Sequence, residues 1–396
     1  MSVTGTVTVP SLLHKVRQIQ PALRACAADA ERDRRLPDAV FQAMHEQGLY
    51  RLWKPKLFGG LEADPITAFQ VFEEVSRIDS AAGWNLQLSC GVDMFGAWFS
   101  DEGAQESFGN PDSALAGAFF PPRKAIPVDG GYLVTGQTAF MSGAHHAGWF
   151  LGLSNIYDGG DTPRLGENGE PVGLMTICPA ADATIVDTWR TLGMRGTGSH
   201  DVLMTDVFVP ERRTAVLAPW EKPGRAYEGP LYKLTLWATV SALSTVALGI
   251  AQAAIDSLLE LAARKTPSYT ARALRDRSTV QALVGEAQAT LGAARAFLHE
   301  ALREAWDEAL QGRVIDMPRK MKLQLAATHA AASAAKTVDM VHAAAGTTGI
   351  REEHRLQRHF RDVHTITQHA FISANRYESG GQFLLGVPIE WPFYGL

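Results

Sequence analysis

No GxGxxG fingerprint follows a strand-like run in this 396-residue chain, and neither a GxxxxGK[ST] loop nor a GxSxG elbow occurs. Each absence removes a class: a Rossmann nicotinamide or FAD site, P-loop nucleotide hydrolysis, and the common serine hydrolases. Cysteine is scarce. Cys26, Cys90 and Cys178 are odd in number and far apart, so neither a disulfide framework nor a CxxC zinc motif is available, and the expected setting is the reducing cytoplasm. Basic blocks are missing too. With 37 Lys and Arg against 42 Asp and Glu, the formal net charge is -5, which argues against nucleic acid or an anionic membrane as the main partner. Residues 1–18 lack the apolar core of a signal peptide. The one long apolar stretch, 238–259, is full of Ala, Ser, Thr and Gly, contains Asp256 and lacks aromatic belts. It reads as a buried bundle helix rather than a membrane span. The adjacent His145 and His146 would point apart on a strand or turn, with no third ligand at useful spacing, so no metal is expected.

What is present divides the chain into three zones. From Ser11 to about Phe108 apolar residues recur at helical spacing, with Pro37 at a helix start and Gly48 at its close. A loop with Pro55, Phe58, Gly59 and Gly60 follows, then a helix carrying Phe72 to Ile78. Between about 114 and 213 the pattern shortens. Gly130-Gly131 is a turn feeding the strand 132–136, and 202–204 and 207–210 read as strands, the second ended by Pro210. Residues 158–171, rich in Gly, Asp, Asn and Pro, suit an exposed hairpin loop. After a linker at 219–230, helical pattern returns as four long segments, 232–265, 278–311, 317–345 and 356–385, with Pro318 at one start and Gly346 and Gly386 after two ends. The expected fold is α+β: an N-terminal helical domain (1–113), a middle antiparallel β-barrel (114–226) and a C-terminal four-helix bundle (227–396).

The motifs fall in a distinctive order. Trp189-Arg190-Thr191-Leu192-Gly193-Met194-Arg195-Gly196-Thr197-Gly198-Ser199-His200-Asp201 leads into Asp206-Val207-Phe208-Val209-Pro210. Earlier stand Gly131 to Gly136 and Phe140-Met141-Ser142-Gly143, and later Arg361-Asp362. These runs resemble, respectively, the middle-domain signature, the flavin-facing strand and the C-terminal Arg-Asp motif of the acyl-CoA dehydrogenase superfamily. The matches span the chain from the Pro55/Gly59-Gly60 loop to Asp362.

The resemblance implies a flavin, FMN or FAD. An isoalloxazine needs a flat apolar wall and polar partners for its pyrimidine edge and N5. Phe140, Trp189 and Ser142 are suitable types, and Arg195, Thr197 and Ser199 lie on the glycine-rich run that could present amides or hydroxyls. Read without the resemblance, Phe140 and Trp189 suit a barrel core and the glycines a turn. Arg264 stands where the family places a phosphate-binding arginine; a cation favouring a helix C-terminus is the equal alternative.

Acyl-CoA dehydrogenases need a carboxylate base, in many members shortly after the Arg-Asp motif. Here that place is Ala370, preceded by His369. The replacement resembles the flavin-dependent monooxygenase branch, which includes p-hydroxyphenylacetate hydroxylase oxygenase components, dibenzothiophene monooxygenase and nitrososynthases, and which pairs a serine with a histidine. By that resemblance Ser142 and His369, on the last long helix, would shelter a C4a-(hydro)peroxyflavin, the imidazole being suited to proton transfer near working pH. His364, five residues earlier, would face about 140° away. With no nicotinamide site, a separate NAD(P)H:flavin reductase is expected to supply reduced FMN or FAD. Trp84, Leu88 and Ser89, with His145 or His146, are expected to bind a small aromatic or heteroaromatic substrate, although helix packing accounts for Trp84 and Leu88 equally. The branch also implies a homotetramer. Two other functions stay open: an FAD-dependent acyl-CoA or acyl-carrier dehydrogenase, and a non-catalytic flavin-binding scaffold.

Overall fold

Helix starts in this chain are written by short polar residues. In the computed structural model, which describes residues 8–167, 169–216 and 223–395, Asp64, Asp79, Ser100 and Asp316 each accept a backbone amide of the turn that follows. The N-terminal helices are α1 (Val9–Ala25), α2 (Ala27–Asp33), α3 (Asp38–Glu46), α4 (Pro65–Ile78), α5 (Ser80–Asp93) and α6 (Asp101–Phe108). Pro37 sits just before α3, with Gly48 left-handed after it, close to the expected bounds. Every residue of α5 except Leu88 is buried, because the helix is wedged between α4, α7 (Leu236–Ala262) and the first sheet strand.

The middle module holds β1 (Ala114–Val128), β2 (Gly131–Met141), β3 (Ala147–Ile156), β4 (Gly173–Pro179), β5 (Thr184–Val186), β6 (His200–Pro210) and β7 (Thr214–Val216), in the spatial order β5-β6-β2-β1-β3-β4-β7. The expected antiparallel barrel is corrected here to a mixed sheet with two ends. β6 occupies the outer side of β2, so β3 must land on the far side of β1, and an up-down-up chain arriving there runs parallel to β1. The segment 158–171 extends from β3 with one bridge, Leu165 to Pro171, and an Arg164–Asp158 ion pair. Part of the expected linker, 219–222, lies outside the described residues.

The C-terminal helices are α7, α8 (Ser278–Leu310), α9 (Met317–Ala345), α10 (Arg355–Ile366) and α11 (Arg376–Leu385). By length and hydropathy α7 could cross a membrane, but 89% of its most apolar window is buried inside the protein. The single helix expected at 356–385 is broken into α10 and α11 by turns at 367–375. Ile366 and Ile372 are both buried, yet six residues along a continuous helix would set them about 120° apart. The turns reconcile this, and Gln324 on α9 fixes them by donating to the Phe371 carbonyl at 2.6 Å.

Candidate flavin site

Asn85 and Ser89, four residues apart, share one face of α5. That face, residues from α3 and its approach, and the turn after β2 enclose a narrow crevice whose interior volume is only about 10 Å3. Leu36, Phe41, Ala114 and Leu115 supply its apolar lining; Tyr50, Asn85, Ser89, Ser142 and His146 supply the polar one. The lining contains no carboxylate. Ser89 Oγ accepts the Leu115 amide at 3.0 Å, whereas the Asn85 Oδ1 is buried without a partner. His146 stacks on Phe41 with centroids 4.6 Å apart and bonds Asp38 at 3.0 Å. Burial lowers the pKa of that imidazole and the bond lowers that of Asp38.

β2 ends in a strained turn. Phe140 adopts φ +64°, a left-handed conformation that a bulky side chain avoids, and the Ser142 amide donates back to its carbonyl at 2.9 Å. The ring of Phe140 is left 61% exposed while Ser142 is only 7% exposed. Trp189 meets Phe140 edge-on at 6.1 Å and donates its Nε1 to the Met194 carbonyl at 2.9 Å. Behind them the hydroxyls are chained. Ser142 Oγ accepts Trp84 Nε1 at 3.0 Å and lies 2.6 Å from Ser199 Oγ. Ser199 is in turn 2.6 Å from Thr197 Oγ1, which donates to the Met194 carbonyl at 2.8 Å.

The Arg-Asp motif of α10 holds the loop that carries this chain. Asp362, fully buried, accepts the Met194 amide at 2.6 Å and the Ser80 hydroxyl at 2.5 Å. Burial pushes its carboxyl up to about 6 although Arg358 opposes the shift. Arg361 donates to the Leu192 carbonyl at 2.6 Å and to Glu31 at 2.8 Å. Loop and helix approach so closely at Gly193 that a Cβ there would sit 2.3 Å from the Arg361 carbonyl.

Ser142, Ser199, Thr197 and Trp84 are thus brought together, with Phe140 and Trp189 alongside. His369 joins them from a different element than expected. It lies in the turn after α10, not on a helix, half-buried edge-on against Trp84 at 5.5 Å. Burial pushes its imidazole down to about 4, so it is neutral near pH 7 and a weaker base than an ordinary histidine. His364 bonds Asp339 at 2.9 Å instead. Four other expectations are placed elsewhere. Arg195 turns toward α2 and donates to the Glu31 carbonyl at 3.1 Å, tying the loop down. Leu88, partly buried, packs against the hydrophobic core. His145 is exposed, edge-on to His200 at 5.2 Å; its neighbour His146 lines the crevice. Arg264 is exposed past the end of α7, on its own Glu260 carbonyl at 3.3 Å. Leu36, Phe41, Tyr50 and Asn85 were missed. The one available signal was an asparagine and a serine four apart on an otherwise apolar helix. Among the described residues no three His, Cys, Asp or Glu side chains gather as a metal site.

The residues suit a flavin. A large aromatic ring held exposed on strained backbone, beside a single buried hydroxyl, offers one flat apolar wall and one polar contact, the needs of an isoalloxazine edge. Family models for the acyl-CoA dehydrogenase N-terminal and C-terminal domains match residues 14–106 and 241–374. The chain is 35% identical to the indole-3-acetate monooxygenase of Pseudomonas putida over 92% of its length and 90% of that protein. It is 27% identical to the oxygenase subunit of a flavin-dependent monooxygenase, HsaA, of Rhodococcus jostii, over 95% of this chain and 99% of that one. The structure of XiaF from a Streptomyces species, in complex with FADH2 and glycerol, superposes with a TM-score of 0.88 at 27% identity, covering 97% of both chains. The chain therefore belongs to the acyl-CoA dehydrogenase family, in the company of its flavin-dependent monooxygenases.

Proposed function

We propose that this chain is the oxygenase component of a two-component flavin-dependent monooxygenase acting on a small aromatic or heteroaromatic substrate. One observation carries the reading: the crevice beside Ser142 has no carboxylate in its lining, and behind Ser142 the indole that bonds it, Trp84, is met edge-on by a neutral imidazole, His369. Removing an α-proton from an acyl thioester requires a base that this lining does not supply, which disfavours the dehydrogenase alternative. The monooxygenases among its relatives support the same choice.

Reduced FMN or FAD, when bound, supplies the electrons that activate dioxygen. The chain's residues do the rest. Phe140 and Trp189 would give the ring its apolar wall, Ser142 would meet its N5 edge, and exposed Arg264 is available for a phosphate. Apolar Leu36, Phe41 and Leu115 exclude water from the crevice, which protects reactive oxygen chemistry from side reactions. Neutral His369 accepts the Phe371 amide at Nδ1, 3.4 Å away, so its Nε2–H would be the group that offers a hydrogen bond. Asn85 and His146 would orient the substrate. Because no nicotinamide motif exists, a separate NAD(P)H:flavin reductase must provide the reduced flavin.

Purified chain plus NADH should leave indole or indole-3-acetate untouched, and adding a flavin reductase with FMN or FAD should start substrate oxidation. NADH-driven turnover by the chain alone would overturn the two-component reading. We also infer a homotetramer working in the cytoplasm. Supporting this are Leu384 and Leu385, 74% and 80% exposed on α11, and three free cysteines. A monomeric mass by light scattering would contradict the assembly.

A further inference from the structure

The hydroxyl chain behind Ser142 has a fixed direction. A carbonyl can only accept, so the Thr197 hydroxyl spends its one proton on the Met194 carbonyl, 2.8 Å away. Ser199, 2.6 Å from Thr197 Oγ1, must then donate to it. Ser142, 2.6 Å from Ser199, must donate in its turn. Trp84 Nε1 is a donor only and points at Ser142 Oγ from 3.0 Å. The outcome is that Ser142, buried, has its proton committed inward and can offer only a lone pair to anything beside it.

We propose that Thr197 and Ser199 are positioning residues that make the site select reduced over oxidised flavin by holding Ser142 as a hydrogen-bond acceptor. The proposal rests on the reading that the N5 edge of the ring lies at Ser142. Reduced flavin carries N–H at N5 and can donate to that lone pair. Oxidised flavin presents a bare nitrogen there, which would face Ser142 lone pair to lone pair. Rotating the Ser142 hydroxyl outward would cure that repulsion only by breaking the bond to Ser199 and leaving a buried hydroxyl without its donor, a cost that buried polar groups resist. For an oxygenase fed by diffusing flavin this has a use: spent, oxidised flavin is released and does not block the next reduced molecule.

The test is the dissociation constant of the full-length protein for oxidised FMN, and for dithionite-reduced FMN under anaerobic conditions, each followed by flavin fluorescence or calorimetry. Ser199→Ala removes the acceptor of the Ser142 proton. Thr197→Val removes the acceptor of the Ser199 proton and frees the chain to reverse, without altering anything expected to touch the ring. Both should lower the ratio of oxidised to reduced dissociation constants about tenfold, which for a two-electron couple lowers the midpoint potential of the bound flavin by about 30 mV. Circular dichroism melting checks that each variant is folded, and either one alone suffices for the test. An unchanged ratio in a folded variant, while Ser142→Ala does alter flavin binding, overturns the directional chain and leaves the ring's placement standing. Unchanged binding of both flavins in Ser142→Ala would instead remove the ring from Ser142 altogether.

Discussion

The two walls of the crevice are built to opposite rules. On the side of β2 and the 189–199 loop, Ser142, Ser199 and Thr197 all have their partners, Trp84 of α5 donating to the first of them, and Asp362 and Arg361 clamp the loop from behind. On the side of α5, Asn85 is buried with its Oδ1 unmet. A satisfied polar network is rigid, and an unmet buried acceptor keeps a cost of about 1–3 kcal/mol that a matching ligand can recover. In the function proposed above, the difference would separate a wall made in advance for a cofactor that every turnover shares from a wall that waits for a substrate.

The strongest way to break the contrast is to soften the rigid side. Asp362→Ala removes the acceptor of both the Met194 amide and the Ser80 hydroxyl and leaves Arg358 with less compensating charge. Loss of about 3–5 kcal/mol is expected, as for a broken buried ionic cluster, with flavin affinity falling alongside. Thermal melting and flavin titration of the variant read both; a fall in melting temperature with flavin affinity intact would mean that the clamp serves the fold alone.

An intermediate effect concerns His369, which stands edge-on to Trp84. Its imidazole titrates near 6.5 in the unfolded chain and at about 4 when folded, so the folded state binds fewer protons between those values. Its stability contribution is therefore complete above pH 6.5 and lost as pH falls toward 4. Relative to His369→Gln, the native protein should lose on the order of 3 kcal/mol across that window. Melting curves of the two proteins at stepped pH test this, and a constant gap between them would show that the ring is not desolvated. Asp362 and Asp93, both raised to about 6 by burial, act in the opposite sense. Only the difference between native and variant isolates the histidine.

The smallest effect sharpens the other wall. Asn85→Leu removes the unmet oxygen, so stability should rise by about 1 kcal/mol while affinity for an N–H donor such as indole drops. Denaturant melts and equilibrium binding of indole measure the two. A destabilised variant would mean that Asn85 has a structural partner after all.

The order of helices, sheet and helices was readable because periods of 3.6 and 2 residues are local properties. The Trp189–Asp201 run stood out as a motif, but that its glycines are needed where the chain passes Arg361 and Ala30 within contact distance was not readable from it. What escaped depends on long-range placement. No local pattern tells that β3 lands beyond β1, that turns at 367–375 interrupt the last helix, or that residues 36, 41 and 50 fold back onto α5. His145 and His146 look alike in sequence; only the 3-10 turn at Ala144–His146 decides which one faces the crevice. Arg195 is a good anion-binding type, but the carbonyl of Glu31, far back in the chain, claims it first.

Gly193, where no Cβ has room against Arg361, makes the 189–199 loop and α10 one mechanical part. A displacement of α10 has no slack to absorb it and must travel into the backbone that carries Trp189 and Thr197. Whatever a neighbouring subunit or an arriving substrate does to the end of the chain, the aromatic wall beside Ser142 will feel as movement.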